Sequence, residues 1–243
     1  MKSSTLKVLE DISLDIEAGT FFTLIGPSGC GKSTLINSIA GLLIPTRGEV
    51  IVDNQRITQP SPEKMAMVFQ ESTLLPWKTV HANVEFPLEV KGVPKVQRRE
   101  ASAKYLDLVG LASFMDYFPS QLSGGMQQRV AIARALAQGS EILLMDEPFG
   151  ALDEQTRIIL GKELTKIWQT AKRTIVFVTH SLLEAAYLSD TIAVMSARPT
   201  SIKEIVNIDI PRPREPEGVE LAEIRRKLWN EISEEATRMA TGV

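Results

Sequence analysis

Gly26-Pro27-Ser28-Gly29-Cys30-Gly31-Lys32-Ser33 is the stretch that decides the fold of this 243-residue chain. It follows an apolar run at residues 21–25, which predicts a buried strand, and it precedes apolar residues at helical spacing. Strand, glycine-rich loop and helix together form the context in which the pattern G-x-x-x-x-G-K-[ST] binds phosphate. The glycines let backbone N–H groups turn onto phosphate oxygens, and the helix adds the positive end of its dipole. The sequence therefore predicts a nucleoside triphosphate site.

Two side chains of this loop have predicted roles of their own. Lys32 reaches the β and γ phosphates, and the Ser33 hydroxyl is placed to bind Mg²⁺. A glycine-rich turn that binds nothing is the alternative, and the full spacing with Lys-Ser at its end argues against it. The predicted nucleotide-binding residues of the loop are Gly26, Pro27, Ser28, Gly29, Cys30, Gly31, Lys32, Ser33 and Thr34.

The composition is that of an ordinary globular protein and excludes several classes. The formal net charge of -3 argues against a nucleic-acid binder, which usually has a basic balance. The single cysteine, Cys30, excludes an internal disulfide and suits a reducing compartment. No run of about 18 apolar residues predicts a membrane span, and the first residues lack the apolar region of a secretion signal.

Apolar runs and helical patterns alternate along most of the chain, which predicts an α/β fold with a mostly parallel sheet. Residues 71–139 differ, because they show helical patterning and few strand signals. Ile12, Leu14 and Ile16 alternate with polar residues and predict one face of an early strand. Proline-rich residues 211–216 predict a stiff linker before a final amphipathic helix. Further strands are expected at 49–52, 66–69, 142–146, 174–179, 191–195 and 201–208.

Two adjacent acids follow the strand predicted at residues 142–146. A carboxylate at the carboxyl end of a buried parallel strand can hold Mg²⁺ through water, which is the role expected of Asp146. Glu147 is the next residue and could accept a proton from an attacking water. The alternative for this pair is a helix N-cap and a solvated acid.

Leu122-Ser123-Gly124-Gly125-Met126-Gln127 is the stretch that discriminates between classes of nucleotide-binding protein. Its glycines allow close approach of backbone, and the helix that follows presents its N-terminus, so it is a second anion-binding device. A chain needs two such devices if it binds two anions or if it completes the site of a partner. The alternative is a helix capped by serine.

This combination resembles the ATP-binding-cassette (ABC) ATPases over essentially the whole chain. Residues 26–33 match the Walker A loop of that family, Gln70 its Q-loop and residues 122–127 its signature. Residues 142–146 match Walker B with Glu147 following, residues 151–153 match the D-loop, and His180 matches the switch histidine. The motifs occur in the order of the family.

The resemblance implies a fold, a domain plan and a set of roles. The fold would be α/β, a P-loop NTPase (RecA-like) core with a mostly parallel sheet, an antiparallel portion and an inserted helical subdomain. One domain would span residues 1–243, with a core at 1–70 and 140–210, a helical subdomain at 71–139 and a C-terminal linker and helix at 211–243. Ser33, Gln70 and Asp146 would surround Mg²⁺, while Glu147, His180 and Gln70 would act in hydrolysis.

The resemblance also implies a head-to-tail homodimer that sandwiches two ATP molecules. Ser123, Gly124 and Gly125 would contact the nucleotide bound to the opposite subunit, and Asp153 would couple the two sites. One departure concerns adenine, on which an aromatic residue near the N-terminus usually stacks. The first 20 residues contain no Phe, Tyr, Trp or His. Either the gene start is misplaced and a segment is missing, or apolar side chains such as Val8 hold the base.

The segment after Gln70 is similar to that of importers for nitrate, sulfonate, taurine, bicarbonate or pyrimidine precursors. In the family, the region from Leu74 to Val84 forms part of the groove that receives a membrane permease. Pro76 and Trp77 could make an aromatic docking surface, unless Trp77 is core of the helical block. The expected function is ATP hydrolysis that powers import of a small solute, on the cytoplasmic face of the inner membrane. Partners would be a permease and, indirectly, a solute-binding protein, with no nucleic acid. Alternatives are export, lipid movement and an ABC ATPase outside transport.

Overall fold

The computed structural model describes residues 6–241, which divide into two compact units. Within the described residues, the first unit comprises residues 6–60 and 174–241, and the second comprises Ser61–Arg173. In chain order the elements are β1 (Phe21–Ile25), α1 (Lys32–Ile39), β2 (Ile51–Val52), β3 (Gln55–Arg56), β4 (Met65–Val68), α2 (Val80–Val90), α3 (Lys95–Leu108), α4 (Gly124–Gln138), β5 (Ile142–Asp146), α5 (Glu154–Ala171), β6 (Thr174–Val178), α6 (Leu182–Leu188), β7 (Thr191–Met195), β8 (Ile202–Asn207) and α7 (Val219–Thr241). Short 3₁₀ turns lie at Ala112–Phe114 and Pro119–Gln121.

A sheet built around β1 organises the first unit. β1 pairs in parallel with β6 on one side and with β7 on the other, and β8 joins β7 antiparallel. All five residues of β1 are buried, which explains why this strand reads as a continuous apolar run. α7 packs its apolar stripe onto the same unit, where Leu228 is fully buried among residues of β7 and α6.

The β2–β3 hairpin is the second sheet of this unit, and its turn is local in origin. Ile51 pairs with Arg56 and Val52 with Gln55, so Asp53 and Asn54 make a two-residue loop. Both loop residues have positive φ angles, 50° and 60°, as a type I′ turn requires. Asp and Asn tolerate this left-handed region better than most residues do, so the sequence fixes the hairpin register.

The second unit combines a parallel strand pair with four helices. β4 pairs with β5, and the register joins Met65 to Ile142 and Val68 to Met145. α4 is the most buried of its helices, with eight buried residues between Gln128 and Ala137. Its N-cap is Ser123, and it ends at Gly139 in the left-handed conformation that glycine favours.

These elements confirm the predicted α/β class, the mostly parallel strand pairing, the antiparallel portion and the helical block. The prediction of an early strand at residues 12–16 is wrong. Residues 12–16 alternate between half-buried and exposed as expected, yet in the described chain they form no strand. Alternation reports which side faces the protein, whereas a strand also needs a hydrogen-bonding partner. Within residues 6–241, no helix combines the length and the apolar character needed to cross a membrane.

Candidate functional site

The phosphate loop in the first unit joins the carboxyl end of β1 to the start of α1. Gly31 is the N-cap of α1 at φ 124°, and a glycine offers no side chain to cap the first N–H groups of the helix. A Cβ on Gly26 would lie 2.8 Å from the Met195 carbonyl oxygen, so only glycine fits there. The loop therefore presents backbone donors at a helix N-terminus, which is a site for an anion.

Lys32 is folded over this loop. Its side chain is only 5% exposed, and Nζ donates to the carbonyl oxygens of Gly26 at 2.9 Å and Pro27 at 3.0 Å. An ammonium group carries three N–H donors, and these two bonds hold it at the centre of the loop. Ser33, the predicted Mg²⁺ ligand, is exposed at the start of α1. Thr34, the last of the predicted nucleotide-binding residues of the loop, is half-buried.

Cys30 has a different role from its neighbours in the loop. Ser28 and Gly29 are exposed, whereas Cys30 is fully buried, with Sγ 3.3 Å from the position that a Cβ on Gly26 would take. Burial raises the pKa of the thiol, although the nearby Lys32 acts in the opposite direction. The Cys30 side chain therefore packs under the loop, and only its backbone is available to a ligand.

His180 follows β6, the parallel neighbour of β1, and it is exposed. The residues on either side of it are fixed. The Thr179 hydroxyl donates to Glu184 Oε2 at 2.5 Å and accepts from the Ser181 N–H at 2.9 Å, while Ser181 caps α6. Because the carboxyl ends of parallel strands meet at one edge, His180 and the phosphate loop leave the sheet on the same side.

The two acids of the second unit lie where β5 ends. Asp146 is the last residue of the strand and is buried. Glu147 is half-buried at φ 46°, a left-handed conformation that is uncommon outside glycine. The Gly150 N–H donates to the Glu147 carbonyl oxygen at 3.1 Å and closes a tight turn. Such a conformation on a non-glycine residue is typical of functional sites.

The signature stretch caps α4 and contacts the D-loop. The exposed Ser123 accepts from the Met126 N–H at 3.3 Å. A Cβ on Gly125 would lie 3.1 Å from the Ala151 carbonyl oxygen, whereas a Cβ on Gly124 would meet nothing within 4 Å. The structure therefore brings the signature and the D-loop together, with one glycine packed inward and the other facing outward.

Asp153, the last residue of the D-loop, is the N-cap of α5. Its carboxylate accepts from the Thr156 N–H at 2.9 Å and from the Thr156 hydroxyl at 2.7 Å. These hydrogen bonds, led by the backbone one, lower the pKa of Asp153. The carboxylate therefore stays ionised while it fixes the turn between β5 and α5.

Gln70 is exposed just beyond β4, and α4 holds the backbone on both sides of it. Gln128 Nε2 donates to the Phe69 carbonyl oxygen at 3.0 Å. Arg134 donates to the carbonyl oxygens of Ser72 at 3.2 Å and Thr73 at 3.0 Å. The helix that begins with the signature thus positions the Q-loop directly.

The segment from Leu74 to Val84 is folded around one buried amide. Asn83 is fully buried, and its side chain accepts from the Leu75 N–H and donates to the carbonyl oxygens of Leu75, Lys78 and Thr79. Trp77 stands on the loop so formed and is 71% exposed. The alternative that Trp77 belongs to the core is therefore wrong.

Several residues that position the site were missed from the sequence. Glu184 was detectable, because Ser181-Leu182-Leu183-Glu184 has the spacing of a capping box. Gln128 and Arg134 carry no local signal, since their partners lie in another segment. Asn83 bonds to residues 4, 5 and 8 positions before it, and no sequence motif marks that arrangement. The structure describes Val8 next to the loop: Val8 Cγ1 and Leu9 Cδ2 each lie 2.9 Å from the position of a Cβ on Gly31.

Known proteins resemble this chain in sequence and in fold. The sequence profile of the family described as ABC transporter matches residues 9–150. The chain is 53% identical over 233 residues to the uncharacterized ABC transporter ATP-binding protein MJ0412 of Methanocaldococcus jannaschii, covering 96% of this chain and 87% of that protein. It is 45% identical over 231 residues to the aliphatic sulfonates import ATP-binding protein SsuB of Bacillus cereus, covering 95% and 90%.

A solved structure of a dimer of the ATP-binding cassette MJ0796, bound to ADP and Pi, superimposes with a TM-score of 0.80 at 34% identity. That match covers 87% of this chain and 95% of the other. The family profile, the relatives and the solved structure therefore agree on the family of this chain. The chain belongs to the ABC transporter family, as an ATP-hydrolysing cassette of its import-like branch.

Proposed function

We propose that this cassette powers import of a small anionic solute, of which an aliphatic sulfonate is the best candidate. Support comes from the 45% identity to the sulfonate import protein SsuB, which extends over 95% of this chain. The cassette would act as one domain and as a head-to-tail homodimer, on the cytoplasmic side of the membrane. The permease and the solute-binding protein would be separate chains.

In the proposed site, Lys32 and the amides of residues 26–34 bind the triphosphate of ATP. Ser123, Gly124 and Gly125 of the second copy cover it, and Asp153 links the two sites. Glu147 accepts the proton of the attacking water, and His180 and Gln70 orient groups near the γ-phosphate. The oxygen donors of Ser33, Gln70 and Asp146 suit Mg²⁺, which when bound neutralises charge on the phosphates.

One observation carries the proposal that a permease docks at residues 74–84. Asn83 is fully buried, and its side-chain hydrogen bonds hold the loop at residues 75–79. That loop presents Trp77 to solvent. A rigid exposed tryptophan costs little entropy when it binds, so such residues often anchor protein interfaces.

The proposed docking site is tested by co-purification of the cassette with the permease encoded beside it. We expect Trp77→Ala to lower recovery of the complex at least tenfold and to abolish solute import in cells. Trp229→Ala is the matched control, because Trp229 is 61% exposed on α7 and lies outside the proposed docking segment. Equal recovery of both variants would contradict docking at Trp77.

The solute is tested separately, by uptake of a labelled alkanesulfonate into cells that carry the complete operon. Loss of uptake in Lys32→Ala cells, with nitrate and bicarbonate uptake unchanged, is the expected result. Loss of nitrate or bicarbonate uptake instead would move the cassette to another importer of the same branch. Export of a solute or lipid by the reconstituted complex would favour the alternative transport branches.

A further inference from the structure

The turn between β7 and β8 connects two segments that border the nucleotide site. Thr200 in this turn is fully buried, and its hydroxyl donates to the carbonyl oxygen of Cys30 in the phosphate loop. Its N–H donates to the Val8 carbonyl oxygen at 2.9 Å, and the Glu10 N–H donates to the Thr200 carbonyl oxygen at 2.8 Å. One residue therefore holds both the phosphate loop and the N-terminal segment at residues 8–10.

The N-terminal segment borders the phosphate loop with apolar groups. Val8 Cγ1 and Leu9 Cδ2 each lie 2.9 Å from the position of a Cβ on Gly31, the residue that begins α1. A purine attached to a phosphate in this loop needs an apolar surface near by, and no aromatic residue occurs among the first 20. The spacing between Val8 and Cys30, which Thr200 sets, is then the spacing between base and phosphate.

The turn is itself anchored, so Thr200 holds a fixed position. Glu235 on α7 accepts from the Ala197 N–H at 2.8 Å and is almost fully buried. Lys203 on β8 forms ion pairs with Glu231 at 2.9 Å and Glu235 at 3.6 Å, and its hydrogen bonds to Glu231 and Glu234 raise the pKa of Lys203. The C-terminal helix thereby holds the turn in place.

We propose that Thr200 is a positioning residue for the nucleotide, which keeps the apolar segment at residues 8–10 in register with the phosphate loop. The proposal rests on the proposed nucleotide site at residues 26–34. A ligand that spans both segments binds more tightly if their spacing is already fixed in the free protein. Otherwise part of the binding free energy is lost to the entropy of ordering the two segments. A ligand that occupies the phosphate loop alone does not depend on that spacing.

The experiment compares two ligands, ATP and inorganic tripolyphosphate, on four proteins by calorimetry. Thr200→Val keeps the shape of the side chain and removes its hydroxyl, while Thr200→Ser restores a hydroxyl. Ser201→Ala is the matched control, since the hydrogen bonds of Ser201 in the described part of the chain go to Ser196 of the same turn. We expect Thr200→Val to weaken ATP binding about tenfold and tripolyphosphate binding less than twofold. Thr200→Ser and Ser201→Ala should stay within about twofold of the wild type for both ligands.

Two results would overturn the proposal: unchanged ATP affinity in Thr200→Val, or equal loss for ATP and tripolyphosphate, which would mean that Thr200 shapes the phosphate loop alone. If Thr200→Val does not fold by circular dichroism, Thr200→Ala is measured in its place, and the same comparison decides. Lys32→Ala separates this proposal from the proposed site. Undiminished ATP binding in Lys32→Ala would reject the proposed nucleotide site. If Lys32→Ala loses ATP binding and Thr200→Val binds ATP normally, only the role of Thr200 is rejected.

Discussion

Gly124→Ala separates a structural role of the signature from a role in covering a nucleotide. Gly124 is the first residue of α4, is exposed, and has a negative φ angle, so alanine fits its backbone. A Cβ at this position meets no described atom within 4 Å. Alanine also favours helix over glycine by about 0.5–1 kcal/mol. The free energy of unfolding should therefore stay equal or rise by up to about 1 kcal/mol.

The activity of the same variant should fall. If the backbone at Gly124 closes onto phosphate oxygens held by a second copy, hydrogen bonds there need donor–acceptor distances of about 2.7–3.2 Å. A methyl group on this surface holds the two copies apart, and loss of such a donor costs on the order of 10²-fold in kcat. The assay is steady-state ATP hydrolysis at saturating ATP, together with chemical unfolding of the same preparation.

Gly125→Ala is the comparison variant, because its Cβ would lie 3.1 Å from the Ala151 carbonyl oxygen. That contact forces the D-loop to shift, so this variant should lose stability as well as activity. Full hydrolysis by Gly124→Ala would mean that no partner covers this face. A clear loss of stability in Gly124→Ala would mean that the space around it is not open.

Three further variants test other parts of the structure. Glu147→Gln should lower kcat by about 10²-fold or more and leave ATP-induced dimers visible by light scattering, and wild-type turnover would exclude Glu147 as the base. Arg214→Ala should lower the free energy of unfolding in urea by about 3 kcal/mol or more. The reason is that the buried guanidinium donates to the carbonyl oxygens of Ala186, Ser189, Ile208 and Ile210. A loss under about 1 kcal/mol would contradict this. Burial lowers the pKa of Arg214 to about 10, so it stays charged at neutral pH. Because the pKa of Cys30 is raised in the folded state, the free energy of unfolding should fall as pH rises through 9.0. Cys30→Ala should show a smaller fall over the same pH range. Equal dependence of the two proteins on pH would contradict this.

The sequence predicted the elements whose signals are local. The β1 strand, the phosphate loop and α1 follow from an apolar run, glycines and a Lys-Ser pair that adjoin one another. α4 begins where Ser123 predicts, since a serine cap and its N–H partner are three residues apart. Strands β5, β6 and β7 agree with their predicted bounds within one residue for the same reason.

Features that depend on how side chains pack in the folded chain could not be predicted. Thr200 and Cys30 are 170 residues apart, so no spacing in the sequence joins them. Trp77 is apolar and could equally have been core, and its exposure is decided by the polar Asn83, which folds the loop beneath it. Residues 12–16 alternate as a strand does, yet a ladder needs a partner that alternation does not reveal.

The shared site between two copies is tested most directly by mixing two inactive variants. Lys32→Ala removes the phosphate grip and keeps the signature, whereas Ser123→Arg blocks the exposed signature and keeps the grip. Neither protein alone should hydrolyse ATP. A mixed head-to-tail dimer contains one site with both parts intact, so an equimolar mixture should regain about a quarter of wild-type activity. A mixture as inactive as its components, or full activity of Ser123→Arg alone, would contradict a site built from two copies.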